Sequence, residues 1–218
     1  MSIFAFGSQF SRYTVLLLAV LNLFGFSAVA LVGWVDASVE NGPIEDVQLF
    51  ALLVSLLAGV VSAYLAKGPL RSVMTTWAAL MLLMLQREFD FSAYGTDSWI
   101  YQMRSDTVRL AFWMPVLLVL IALLARHTAP LLRAARSVRL IHLWPVVAVA
   151  AIMLGSNLCE NLATDGSEWT NIFVFLEEQL ELNAYGVIAC MGVAFASRLL
   201  APVPSAVADA RNRLDPAA

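Results

Sequence analysis

Apolar residues in this chain come in six long blocks separated by short polar breaks, at about 13–35, 46–66, 70–89, 107–126, 139–158 and 172–198. A helix needs about 20 such residues to cross a hydrocarbon core of about 30 Å. Blocks of that length, without the alternation of a half-buried strand, predict an all-α, polytopic membrane protein. The expected architecture is a six-transmembrane-helix bundle over residues 1–200, followed at 201–218 by a disordered cytoplasmic tail carrying Pro202, Pro204 and several charges.

The breaks carry turn chemistry. Gly42-Pro43 precedes the second block, and Gly68-Pro69 leaves so short a link that the second and third helices must be antiparallel neighbours. Pro115 and Pro145 fall inside blocks, where each is expected to kink its helix and free a carbonyl. The first block has a competing reading as a secretory signal, with Ala28-Val29-Ala30 imitating a cleavage site. Its apolar run continues through Leu31, Val32 and Trp34 before Asp36, which favours a retained helix ending in an interfacial aromatic. No internal repeat supports an inverted-repeat transporter.

Composition agrees with the pattern. The chain is 61% hydrophobic and 13% charged, where a soluble domain carries about a quarter charged residues. It cannot cover itself with a polar shell, so the lipid bilayer is its first partner. Its few scattered basic residues exclude a nucleic-acid surface. Cys159 and Cys190 are expected at depths too different for a disulfide, hence as separate thiols.

Charge then orients the bundle. Every acidic residue except Asp209 and Asp215 falls on one side, and every basic residue except Arg87, Arg104 and Arg109 on the other. Lys and Arg excess marks the cytoplasmic face. The expected topology is N-in/C-in in a bacterial-type inner membrane, with the acidic face periplasmic. The cytoplasmic loop with Arg126, His127, Arg133, Arg136 and Arg139 contains no acid and is placed to touch anionic headgroups. On the outer side, the connection 90–106 holds Phe91, Tyr94, Trp99 and Tyr101 and suits the headgroup layer or a lid.

The candidate chemistry lies near the outer ends. At about 100° per residue, Glu177, Glu178, Glu181 and Tyr185 share one stripe of the sixth helix, continued inward by Ile188, Ala189, Gly192 and Ala196. Small residues of this kind let a neighbouring helix approach, so the stripe is expected to face the bundle. The third helix brings Arg87, Glu88 and Asp90 to a similar depth, and the fifth brings Asn157 and Glu160. Six carboxylates then share one arginine, Arg87, which sets the charge balance of the layer; a proton or cation must supply the rest.

The cation- or proton-binding candidates are therefore Glu88, Asp90, Glu177, Glu178 and Glu181, with Asn157, Glu160 and Tyr185 as auxiliaries. Glu177, Glu178 and Glu181 form a possible ligand set for a divalent cation such as Ca²⁺. Zinc and di-iron fit worse, because His127 and His142 belong to the opposite side.

Hydrolase and protease signatures are absent: the chain has no Gly-x-Ser-x-Gly and no His-Glu-x-x-His. Ser156 lies near the acids without a histidine at its depth. The leading reading is a multi-pass inner-membrane protein with an outer acidic site, acting in transport or with other membrane subunits. Two alternatives are a metal-dependent intramembrane enzyme acting on a lipid headgroup, and a structural partner protein in which an Arg87–Glu181 pair locks the bundle.

Overall fold

The computed structural model describes residues 6–38, 42–89, 91, 98, 101–137, 139–163 and 169–201. Among these residues the chain is all-helical. Its elements are α1 (Ser8–Val32), α2 (Trp34–Ala37), α3 (Pro43–Leu65), α4 (Pro69–Glu88), α5 (Asp106–Ala125), α6 (Thr128–Ser137), α7 (Trp144–Leu162) and α8 (Thr170–Leu200), with 3₁₀ turns at Tyr101–Arg104 and Leu140–Leu143. Residues 202–218 of the expected tail, and residues 90, 92–97, 99 and 100 of the connection, Tyr94 and Trp99 among them, lie outside the described residues.

Among the described residues, five helices are long and apolar enough to cross a membrane: those at Ser8–Val32, Pro43–Leu65, Thr107–Ala125, Ile141–Leu162 and Thr170–Leu200. The third expected span does form a helix, α4, of 20 residues. Its hydropathy is diluted by Arg71, Ser72, Thr75 and Thr76 at one end and Gln86, Arg87 and Glu88 at the other. One correction concerns Pro145. Helix α7 begins at Trp144, so Pro145 occupies the first turn, where its missing N–H breaks no bond. Pro115 does lie inside α5. The basic loop after α5 also differs: it is the ten-residue helix α6, with Leu131 about 140–160° around the wheel from Arg133 and Arg136.

Helix α8 is the axis of the bundle. Nine consecutive residues, Glu181 to Ala189, are buried, which a helix achieves only when neighbours cover its whole circumference. Helices α1, α3 and α7 pack directly on it, and α4 packs along α3. Gly68, at φ 58°, turns the chain between α3 and α4 in a conformation that favours glycine. The close approach of these two helices is made by Gly59, whose missing side chain leaves room for Trp77 and Ala78. Trp77 in turn donates from Nε1 to Ser55 Oγ at 3.2 Å and meets Phe195 of α8 edge-on at 5.5 Å.

The surface is apolar where a soluble fold is polar, and several polar side chains lie inside. Leu16, Leu23, Leu31, Phe50, Leu118 and Ile121 are exposed, whereas Gln48, Ser55, Ser62, Gln179, Glu181 and Asn183 are buried. An apolar exterior around an interior that holds these polar side chains is what a bilayer solvates.

One interior network was not foreseen. Asn22 of α1 and Asn183 of α8 exchange carboxamide hydrogen bonds at 2.9 and 3.2 Å, and Gln179 Nε2 donates to Asn22 Oδ1 at 3.4 Å. Gly25 lacks the Cβ that would collide with the Gln179 side-chain oxygen. Asn183→Leu removes both Asn22–Asn183 bonds and leaves Asn22 only the Leu18 carbonyl and Gln179. It should lower stability by about 1–2 kcal/mol, near the upper end for hydrogen bonds between membrane helices. In an unfolding cycle in detergent, the Asn22→Leu/Asn183→Leu double variant should lose less than the two single losses added together.

Candidate functional site

At one end of the bundle, α4 and α7 converge with α8 on Glu181. Helix α8 presents it inward with its side chain 7% exposed. Its Oε1 accepts from Arg87 Nη2 of α4 at 3.3 Å and from Ser156 Oγ of α7 at 3.2 Å. One carboxylate oxygen thus ties three helices together.

One turn further along α8, the buried Tyr185 hydroxyl donates to Glu88 Oε1 at 2.8 Å. Glu88, with its side chain 11% exposed, also faces Arg87 Nε at 3.5 Å. Arg87 therefore serves two carboxylates at once, while its own side chain is 56% exposed. On the α3 side, fully buried Gln48 donates from Nε2 to Glu178 Oε2 at 2.8 Å and to the Glu178 carbonyl at 2.9 Å. Gln48 Oε1 is buried with no hydrogen-bond partner among the described residues. Beside Arg87, Gln86 accepts from Trp113 Nε1 and fastens α5 to α4.

The expected residues separate into two groups. Glu88, Glu178, Glu181, Arg87 and Tyr185 belong to this layer. Asn157 and Glu160 do not join it: both are exposed, and Asn157 Nδ2 donates to Glu160 Oε2 at 3.4 Å. Helical phase explains the difference, because Ser156 takes the inward position on α7 and Asn157 lies about 100° away. Glu177 is half-buried at the α7–α8 end, where its charge is opposed by that of Glu160. Asp90 lies outside the described residues.

The carboxylates of the layer face neutral donors and one arginine. Among the described residues, no three Asp, Glu, His or Cys side chains stand in a geometry that could hold a metal ion. Glu178 turns to α3 while Glu181 turns to α4 and α7, so the ligand set Glu177, Glu178 and Glu181 is not assembled. Cys159 and Cys190 are free thiols.

Sequence reasoning weighed Ser156 only as a nucleophile and passed over Gln48. Both carried a signal, because a polar side chain inside an apolar block needs an interior partner.

No protein-family model, curated protein or solved structure matches the chain. The fold and the layer define its class by themselves: among the described residues, an all-helical bundle with five helices apolar and long enough to span a membrane, its mostly apolar core holding several buried polar side chains.

Proposed function

We propose that the chain is a multi-pass inner-membrane protein whose Glu88–Glu178–Glu181 layer, balanced by Arg87, takes up a proton or a small cation near the outer leaflet. It acts in transport or as a subunit of a membrane complex. In this reading α4 is the sixth crossing and both termini are cytoplasmic. At 20 residues α4 is about 30 Å long, and its polar ends lie at the two faces of the bundle.

The carrying observation is the charge balance: of three carboxylates in the layer, Glu88 and Glu181 share one guanidinium, and Glu178 meets only the neutral Gln48 amide. Inside a bundle an uncompensated charge is costly, and a proton or a cation relieves it. The unpartnered Gln48 carbonyl oxygen beside Glu178 adds a second unsatisfied acceptor. A structural reading is favoured by a different observation, the joining of α4, α7 and α8 through Glu181. The metal-dependent lipid enzyme has no comparable support, because its ligand set does not converge.

Thermal unfolding of the purified protein in detergent separates these readings. Stepped pH, and Na⁺ or Ca²⁺ against choline, should shift the midpoint of wild type. Glu178→Gln should flatten that dependence while leaving the midpoint in choline within about 1 kcal/mol of wild type, since a carboxamide still pairs with Gln48. A wild-type midpoint indifferent to proton and cation would leave only the structural role.

A further inference from the structure

Helices α1 and α3 both lean on α8 but hardly touch one another, and the gap between them is a groove of about 670 Å³. Its floor is the α8 face bearing Gly186, Ala189 and Val193, and its walls include Leu17 of α1 and Val54 of α3. Polar groups gather at one end only, where Gln9, Ser197 and Arg198 line it. The Arg198 guanidinium is held there over the Phe6 ring, 5.3 Å from its centroid.

We propose that this groove seats one acyl chain of a phosphate-headed lipid, with the headgroup at Arg198. Length supports this. From Gly186 to Arg198 the floor runs about 18 Å at 1.5 Å per residue, close to one leaflet of a core about 30 Å thick. Width supports it as well. The volume spread over that length leaves a cross-section of roughly 37 Å², too narrow for a helix 10–12 Å across but open to a hydrocarbon chain. The apolar walls offer water too few partners to fill the space. Arginine at the polar end is the side chain best suited to a phosphate, which its planar fork can grip through paired donors. The site lies at the opposite end of α8 from the carboxylate layer. Only the naming of its leaflet as cytoplasmic rests on the orientation proposed above.

The test uses native mass spectrometry of the full chain in detergent, titrated with phosphatidylglycerol or with diacylglycerol of the same chains. Wild type should hold one phosphatidylglycerol. Diacylglycerol should bind at least about tenfold more weakly, the effect of losing a charge-assisted contact. Arg198→Gln should bring phosphatidylglycerol down to the diacylglycerol level, and Val193→Trp, at an exposed floor position, should abolish both. Equal binding of the two lipids, or binding unchanged in folded Val193→Trp, overturns the proposal, as does a second copy of the chain occupying the groove. If Val193→Trp does not fold, Cys190 decides, because it lines the groove. In Cys159→Ala protein, phosphatidylglycerol should slow its alkylation by N-ethylmaleimide; an unchanged rate overturns the proposal.

Discussion

Arg87→Gln should destabilise the bundle far more than Glu181→Gln, although the two variants break the same ion pair. Removing Arg87 leaves Glu88 and Glu181, with side chains 11% and 7% exposed, without their shared countercharge. Removing a partner from a buried pair costs about 3–5 kcal/mol. About 2–4 kcal/mol is expected here, because the guanidinium itself is more than half exposed. Glu181→Gln is gentler. Its amide oxygen still accepts from Ser156 and Arg87, and Arg87 keeps Glu88, so about 1 kcal/mol is expected. Adding Glu181→Gln to the Arg87→Gln chain should recover part of the loss, since one stranded carboxylate disappears. Midpoints of thermal or denaturant unfolding in detergent give all three values. Equal losses in the two single variants would mean that the carboxylates are not held by charge balance.

The second large effect is steric. A Cβ placed on Gly192 of α8 would lie 3.0 Å from Ser55 Oγ and 3.3 Å from the Ser55 Cα and carbonyl oxygen on α3. The obstacle is mainly backbone, which cannot rotate aside. Gly192→Leu should therefore push α3 off the axis helix and cost about 3 kcal/mol or more, at or beyond the usual range for overpacking. Gly192→Ala should be close to neutral, because the crowding is offset by a helix-propensity gain of about 1 kcal/mol. Gly155→Ala is the control. Its nearest neighbour would be Leu180 Cδ1 at 3.5 Å, an ordinary contact, so the propensity gain should appear undiminished. A tolerated leucine at 192 would contradict the tight α3–α8 packing.

Much of the frame was legible along the chain. Long apolar blocks force helices wherever backbone groups have no water to satisfy them, and each expected block appears as a helix within a few residues. The turns at Gly42-Pro43 and Gly68-Pro69 were equally plain, because glycine and proline act through local geometry. Helix α4 was harder. Its ends are too polar for hydropathy to mark it as a span, and neighbours, not lipid, cover much of its surface.

The site divides in the same way. That Glu178, Glu181 and Tyr185 lie on one side of α8 follows from helical periodicity, and the shared depth of Arg87 and Glu181 follows from counting residues at 1.5 Å each. Which partner each side chain takes depends on the rotation of one helix against another, and no single helix carries that information. Glu181 meets Ser156 instead of Asn157, Glu178 meets Gln48, and Asn22 finds Asn183 across 161 positions of sequence. Sequence alone determined the helices, their small-residue faces and the level at which charges cluster. Packing alone decided that the carboxylates take separate partners, leaving one arginine to serve two of them.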